Sequence, residues 1–327
     1  MLVRLGLIPL DFVRWITGAL IGTAIIAITS PIFVRSYLPR ESNRGVWTLP
    51  AGSEYRWRGE GYATTAIGPH GMPGKLAVPP ASQTGKRIAL WGDSQAEGVC
   101  VDDDQKIFAL AEDKSDGRWS VFPLAQSGDD LGDWIRQIPW ADQTLGITDH
   151  FLVIAELVDI QLSERRPNPP AWSQTASTNL PAFILAAARN LAMDADGNRR
   201  QLRFSVGPVQ REPAVVSPIQ TPATFADQLR QLRDATPGRI TIFYAPKLPE
   251  VNGDEVRTQD GDDDAFTVMR SNANELGINV VDVRPALIES GEHGNWPHGF
   301  PNGQIGSGHL NATGNAIVAA AIRESLR

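Results

Sequence analysis

The chain has 327 residues with 42% hydrophobic content, enough for a sizeable buried core, and it carries a formal net charge of -7 and a single cysteine. An acidic surface field repels phosphate backbones, and no basic block longer than the dipeptides Arg165-Arg166 and Arg199-Arg200 offsets it, so nucleic acid is not an expected partner. One thiol, Cys100, rules out an intramolecular disulfide framework and a cysteine-only metal site, and it reads as core filler.

In chain order the first element is residues 15–34, WITGALIGTAIIAITSPIFV, a run of 20 residues without a charge. That length crosses roughly 30 Å of hydrocarbon as a helix. Ala24 and Ala27 are wrongly spaced for a cleavage site and Pro31 falls inside the run, so the expectation is an uncleaved single-pass anchor over residues 1–37. Arg4 and Arg14 precede the run and Arg35, Arg40 and Arg44 follow it, which leaves the orientation open.

Residues 38–84 are rich in Pro, Gly and aromatics. Tyr55 and Trp57 alternate with Arg56 and Arg58 in a period of two, so this stretch reads as a juxtamembrane extension with short strands. From residue 85 to 327 an α/β rhythm takes over. Apolar runs at 88–91, 121–124, 151–155, 240–244 and 278–283 predict five buried strands. Helical patterns fall at 131–138, 181–193, 225–234, 264–276 and 312–326, and the stretches 163–177 and 246–264 read as long surface loops. The expected fold is a three-layer α/β/α, flavodoxin-like domain with a five-stranded parallel sheet behind a transmembrane helix.

Two segments carry chemistry. In RIALWGDSQAEG, residues 87–98, a buried strand runs into Gly92-Asp93-Ser94, which puts Ser94 on the turn at the sheet's carboxyl edge. Backbone N–H groups opening the next helix would point at charge developing beside it. Asp93 reads as a turn residue. In GFPNGQIGSGHLNATG, His309 sits in a Gly-rich loop before an Ala-rich helix, a loop able to return an imidazole to the sheet edge as the base for Ser94.

This arrangement, from residue 87 to the C-terminus, resembles the SGNH (GDSL-type) hydrolase superfamily, with its Gly-Asp-Ser turn after the first strand and its catalytic His before the last helix. The resemblance implies Ser94 as nucleophile, His309 as base, and an oxyanion hole made by the N–H groups of Ser94 and of Gly128 in PLAQSGDDLGDW. It also exposes two departures. Val158 stands where the third block has an asparagine donor, and Gly306 stands where the acid three residues before the His is usual. GSGHLNATG looks like a subgroup carrying Gly-x-Gly-His-x-Asn. The acid's task, holding the imidazole tautomer, then falls to a backbone carbonyl or a distant carboxylate such as Asp282, Glu289 or Glu292.

Other patterns are weaker. DADGNR, 194–199, starts like a calcium loop, but its twelfth position is Ser205 and it reads as a turn. The acidic run 260–264 reads as a solvated loop, and His293 and His298 as part of a structured surface loop without zinc-site spacing. The expected activity is cleavage of an acyl ester, with an O-acetyl group on an envelope or extracellular glycan as leading substrate, no metal or organic cofactor, and an extracytoplasmic catalytic domain. A catalytically silent SGNH-fold module that binds polysaccharide and an O-acetyltransferase are the alternatives.

Overall fold

The computed structural model describes residues 10–33, 40–57, 59–80, 85–113, 115–160, 162, 222–252 and 255–327. The helix expected at 181–193, the Pro-rich stretch 163–177 and the turn 194–199 lie outside the described residues. The chain opens with helix α1 (Leu10–Phe33) and two small antiparallel pairs, β1 (Arg40–Glu41) with β2 (Trp47–Thr48) and β3 (Glu54–Arg56) with β4 (Thr64–Ala66). Then come β5 (Lys86–Gly92), α2 (Ser94–Glu97), α3 (Ile107–Asp113), β6 (Trp119–Pro123), α4 (Leu131–Leu145), β7 (Asp149–Ile154), α5 (Pro222–Asp234) and β8 (Arg239–Tyr244). A hairpin, β9 (Glu250–Asn252) with β10 (Glu255–Arg257), precedes α6 (Asp263–Glu275), β11 (Asn279–Asp282), α7 (Arg284–Glu292) and α8 (Ala312–Ser325).

The central sheet has five parallel strands in the order β11-β8-β7-β5-β6, the doubly wound order with its switch point between β5 and β7. Strand alternation divides the core in two. Ala89, Trp91, Leu152, Ile154, Ile240 and Ile242 face α4, α5 and α6, whereas Ile88, Leu90, Phe151, Val153 and Phe243 face α3 and α8. Each central strand is therefore apolar on both faces, which is why the sequence shows continuous apolar runs there.

The five strands fall where the apolar runs predict them. Helix α4 is longer than the expected 131–138: it passes through Pro139, because Ile138, Ala141 and Leu145 continue its buried face and Gly146 caps its end. Helices α3 and α7 and the hairpin β9–β10 are additions. The stretch 246–264, expected as a loop, contains that hairpin.

Residues 40–80 lie against the sheet domain. Arg44 is 4% exposed, and its guanidinium donates to Gln137 Oε1 at 2.6 and 3.0 Å and to the Leu124 carbonyl at 2.7 Å. Lys106, fully buried, reaches from the sheet domain to Thr65 Oγ1 at 3.1 Å and the Val101 carbonyl at 3.0 Å. Burial pulls both cations below their ordinary pKa values. The expected anchor overlaps α1, whose described side chains, 11–25, are exposed except for half-buried Gly22. Among the described residues no helix is long and apolar enough to cross a membrane. The apolar side chains of 26–33 that extend the run lie outside the described set.

Candidate active site

Strand β5 ends at Gly92, and the turn places Ser94 as the first residue of α2, a single helical turn closed by Gly98 in the left-handed region. Asp93 caps that turn, its carboxylate accepting from Gln95 N at 2.8 Å. Asp93 is thus the turn residue the sequence predicts, and burial raises its pKa against the opposing pull of the Gln95 N–H. Gln95 is buried and reaches the other end of the chain: its Oε1 accepts from Leu310 N at 2.8 Å, and its Nε2 lies 3.5 Å from the Gly308 carbonyl. This side chain clamps the loop on both sides of His309.

The loop then meets the serine. His309 Nε2 lies 3.0 Å from Ser94 Oγ. Its Nδ1 lies 2.6 Å from Glu60 Oε2, while Glu60 Oε1 accepts the His309 backbone N–H at 2.9 Å. A carboxylate only accepts, so Nδ1 carries the proton and Nε2 is left to accept from the Ser94 hydroxyl. The His309 side chain is 26% exposed and that of Glu60 19%, so the imidazole is sheltered yet open to a reactant.

Glu60 is the group that sequence reasoning missed. It sits at the tip of the β3–β4 hairpin, between Gly59 and Gly61. Asn302 fixes that tip to the Gly-rich loop: its Oδ1 accepts from Gly61 N at 2.8 Å and its Nδ2 donates to the Gly61 carbonyl at 3.1 Å. Close approach requires glycine at 308, where φ is +90° and an added Cβ would collide with Glu60 Oε1. The signals available in the sequence were the vacant acid position at Gly306 and a glutamate flanked by glycines in a hairpin.

The carboxylates named as candidates are otherwise engaged or absent from the ring. Asp282 binds Arg284 through both oxygens, at 2.9 and 2.7 Å, and neither Glu289 nor Glu292 is bonded to His309. His298 is a correction too: it is 1% exposed, with its pKa pushed down to about 4 by burial and then by the Lys247 charge, so it is a neutral core group. His293 is exposed, its Nδ1 bonded to the Glu289 carbonyl at 2.8 Å. Cys100 is buried, as its type suggests, with its thiol pushed up to about 12 by burial first. Donor atoms of Glu60, Cys100 and His309 lie within 4.8 Å of one another. An O, S and N set is one that zinc accepts, and here Glu60 Oε2 is bonded to the imidazole Nδ1.

Gly128, expected to supply an oxyanion N–H, follows β6 with φ +78° and is exposed. The Ser127 N–H beside it is bound to Glu97 Oε2 at 2.7 Å, which ties this turn to the end of α2. Val158, where the resemblance implies an asparagine, is 38% exposed and its side chain offers no donor. The polar groups nearby are Asp159, which accepts from Ala155 N at 3.2 Å and Glu156 N at 3.0 Å, and the pair Lys247 Nζ to Glu156 Oε1 at 2.8 Å. Burial and the neighbouring Asp93 charge push Asp159 up to about 7.

Neither a protein-family model nor a curated protein sequence matches the chain. Among solved structures it is similar to LAE5, an alpha/beta hydrolase enzyme from the metagenome of Lake Arreo, Spain, at 14% identity over 75% of this chain and 97% of that one, with a TM-score of 0.37. It is also similar to the acetyl xylan esterase AlAXEase, at 14% identity over 74% and 100% and a TM-score of 0.41. A lipase/acylhydrolase from Enterococcus faecalis gives 13% identity over 74% and 95%, with a TM-score of 0.41.

Proposed function

We propose that this chain is a serine ester hydrolase of the SGNH (GDSL-type) class that removes an acyl group, an O-acetyl on an envelope glycan being the substrate. One observation carries the reading: the unbroken relay from the Glu60 carboxylate through the His309 ring to the Ser94 hydroxyl, at 2.6 and 3.0 Å. In this scheme Ser94 Oγ attacks the ester carbon as His309 Nε2 takes its proton. The N–H groups of Ser94 and Gly128 receive the oxyanion, and Glu60 steadies the imidazolium. Collapse expels the alcohol, which takes the proton back from His309. Water then repeats the sequence on the acyl-enzyme and releases the acid. The scheme calls on no metal or organic cofactor.

Val158 is the observation that favours a second reading, a module that binds polysaccharide without cleaving it. Removing one oxyanion donor costs about 10²–10³ in rate, which leaves measurable activity if Ser94 and Gly128 suffice. The assay is acetate or p-nitrophenol release by the purified protein, with Ser94→Ala as comparison. A loss of about four orders of magnitude in the variant is expected, and equal rates reject the esterase. Acyl transfer to a sugar acceptor in place of water would show in the products of the same reaction. Within this proposal the uncharged run 15–34 supports an uncleaved single-pass anchor, and the envelope-glycan substrate puts the catalytic domain on the extracytoplasmic side.

A further inference from the structure

A thiol that the reaction scheme does not use meets the relay. Donor atoms of Glu60, Cys100 and His309 lie within 4.8 Å of one another. Cys100 lies against the hairpin tip, its carbonyl so close to Gly61 that a Cβ added there would collide with it. The thiol side is closed: Cys100 is 3% exposed and clusters with Leu49, Ile67 and Val99. The side chains of Glu60 and His309 are 19% and 26% exposed, so an ion can reach the set from solvent and keep a water in its fourth position.

We propose that Glu60, Cys100 and His309 form an inhibitory zinc site that switches the relay off; the proposal rests on the esterase reading and adds the regulation of that site. The donors select the ion. A thiolate beside an imidazole suits zinc and excludes magnesium and calcium, which take oxygen ligands. Two anionic donors and one neutral donor cancel the ion's two charges, as a sheltered site requires. Bonds of about 2.0–2.3 Å to tetrahedral zinc space its donors about 3.3–3.6 Å apart, so the Nδ1–Oε2 pair, now 2.6 Å, has to open by less than about 1 Å. Cys100 gives its proton to solvent. Burial first and then the Glu60 charge push that thiol up to about 12, but a coordinating thiol is deprotonated outright. With zinc on the Nδ1 lone pair, the neutral ring carries its one proton on Nε2, having exchanged it through solvent. Nε2 then donates toward Ser94 Oγ where it previously accepted. A base held in the wrong tautomer costs about 10⁴ in rate in a serine triad.

The test titrates zinc chloride, and separately magnesium and calcium chloride, into the full chain hydrolysing p-nitrophenyl acetate, with each rate taken relative to the same protein in EDTA. Zinc is expected to lower the wild-type rate at least about tenfold, with recovery on adding EDTA, while magnesium and calcium leave it level. In Cys100→Ser the zinc concentration for half-inhibition should rise at least about tenfold, because loss of even an outer-shell partner costs that much. Cys100→Ala, which keeps the position apolar, gives the same comparison where serine impairs folding. Equal half-inhibition in wild type and the cysteine variants overturns the site, as does no inhibition by zinc or equal inhibition by calcium. If the wild-type chain cleaves no ester in EDTA, the esterase reading has failed, and the metal site alone is judged with cobalt(II) as the probe. Thiolate-to-cobalt charge-transfer absorption in the wild type, lost in Cys100→Ser, supports the site, and its absence from the wild type overturns it.

Discussion

Ser94 and His309 were legible because each occupies a local context with a mechanical meaning, a strand-to-turn serine and a glycine-loop histidine before a helix. Glu60 was not, because nothing local distinguishes a glutamate at a hairpin tip from a solvated one. Only the fold brings it to His309 Nδ1. Its role predicts a specific loss. Glu60→Gln presents an amide able to donate to Nδ1 and so to favour the wrong tautomer; kcat on p-nitrophenyl acetate should drop about 10²–10⁴-fold with KM little changed. Gly308→Ala should act through the same residue, since its Cβ would fall on Glu60 Oε1 and displace it. Steady-state kinetics of both variants check this, and wild-type kcat in Glu60→Gln would remove Glu60 from the relay.

The strands of the sheet were readable at the level of elements because strands buried on both faces leave continuous apolar runs. Shorter elements were not: α3 and α7 span too few turns to show a clear period, and β9–β10 has no buried alternation to betray it. The turn after β7 holds a pH-sensitive group. Asp159 caps this turn and rises from an ordinary 3.8 to about 7 in the fold. A carboxyl whose folded pKa exceeds its unfolded value holds more protons when folded, so its stabilising effect is complete below about pH 4 and is lost as pH rises through about 7. Thermal midpoints should therefore decline between those limits through this group, and Asp159→Asn should flatten the decline. An unaltered slope in the variant would show that Asp159 is not its source.

Across the whole molecule the proposed site is assembled from three distant parts of the chain: Glu60 on the segment before the sheet, Ser94 at the end of β5, and His309 ahead of α8. Alternation and punctuation in the sequence foretold the α/β/α layering. That residues 40–80 supply a wall of the site was hidden, because contacts such as Arg44 with Gln137 join positions with no local relation. The proposed anchor belongs to this scale as well. The full chain should stay in the membrane pellet through an alkaline wash, and its release would refute an integral anchor. The most direct measurement of the central claim is the rate and position of labelling by a fluorophosphonate, followed by peptide mass spectrometry in wild type, His309→Ala and Glu60→Gln. The account predicts a single adduct on Ser94, formed more slowly by both variants. An adduct elsewhere, none at all, or equal rates in all three proteins would contradict it.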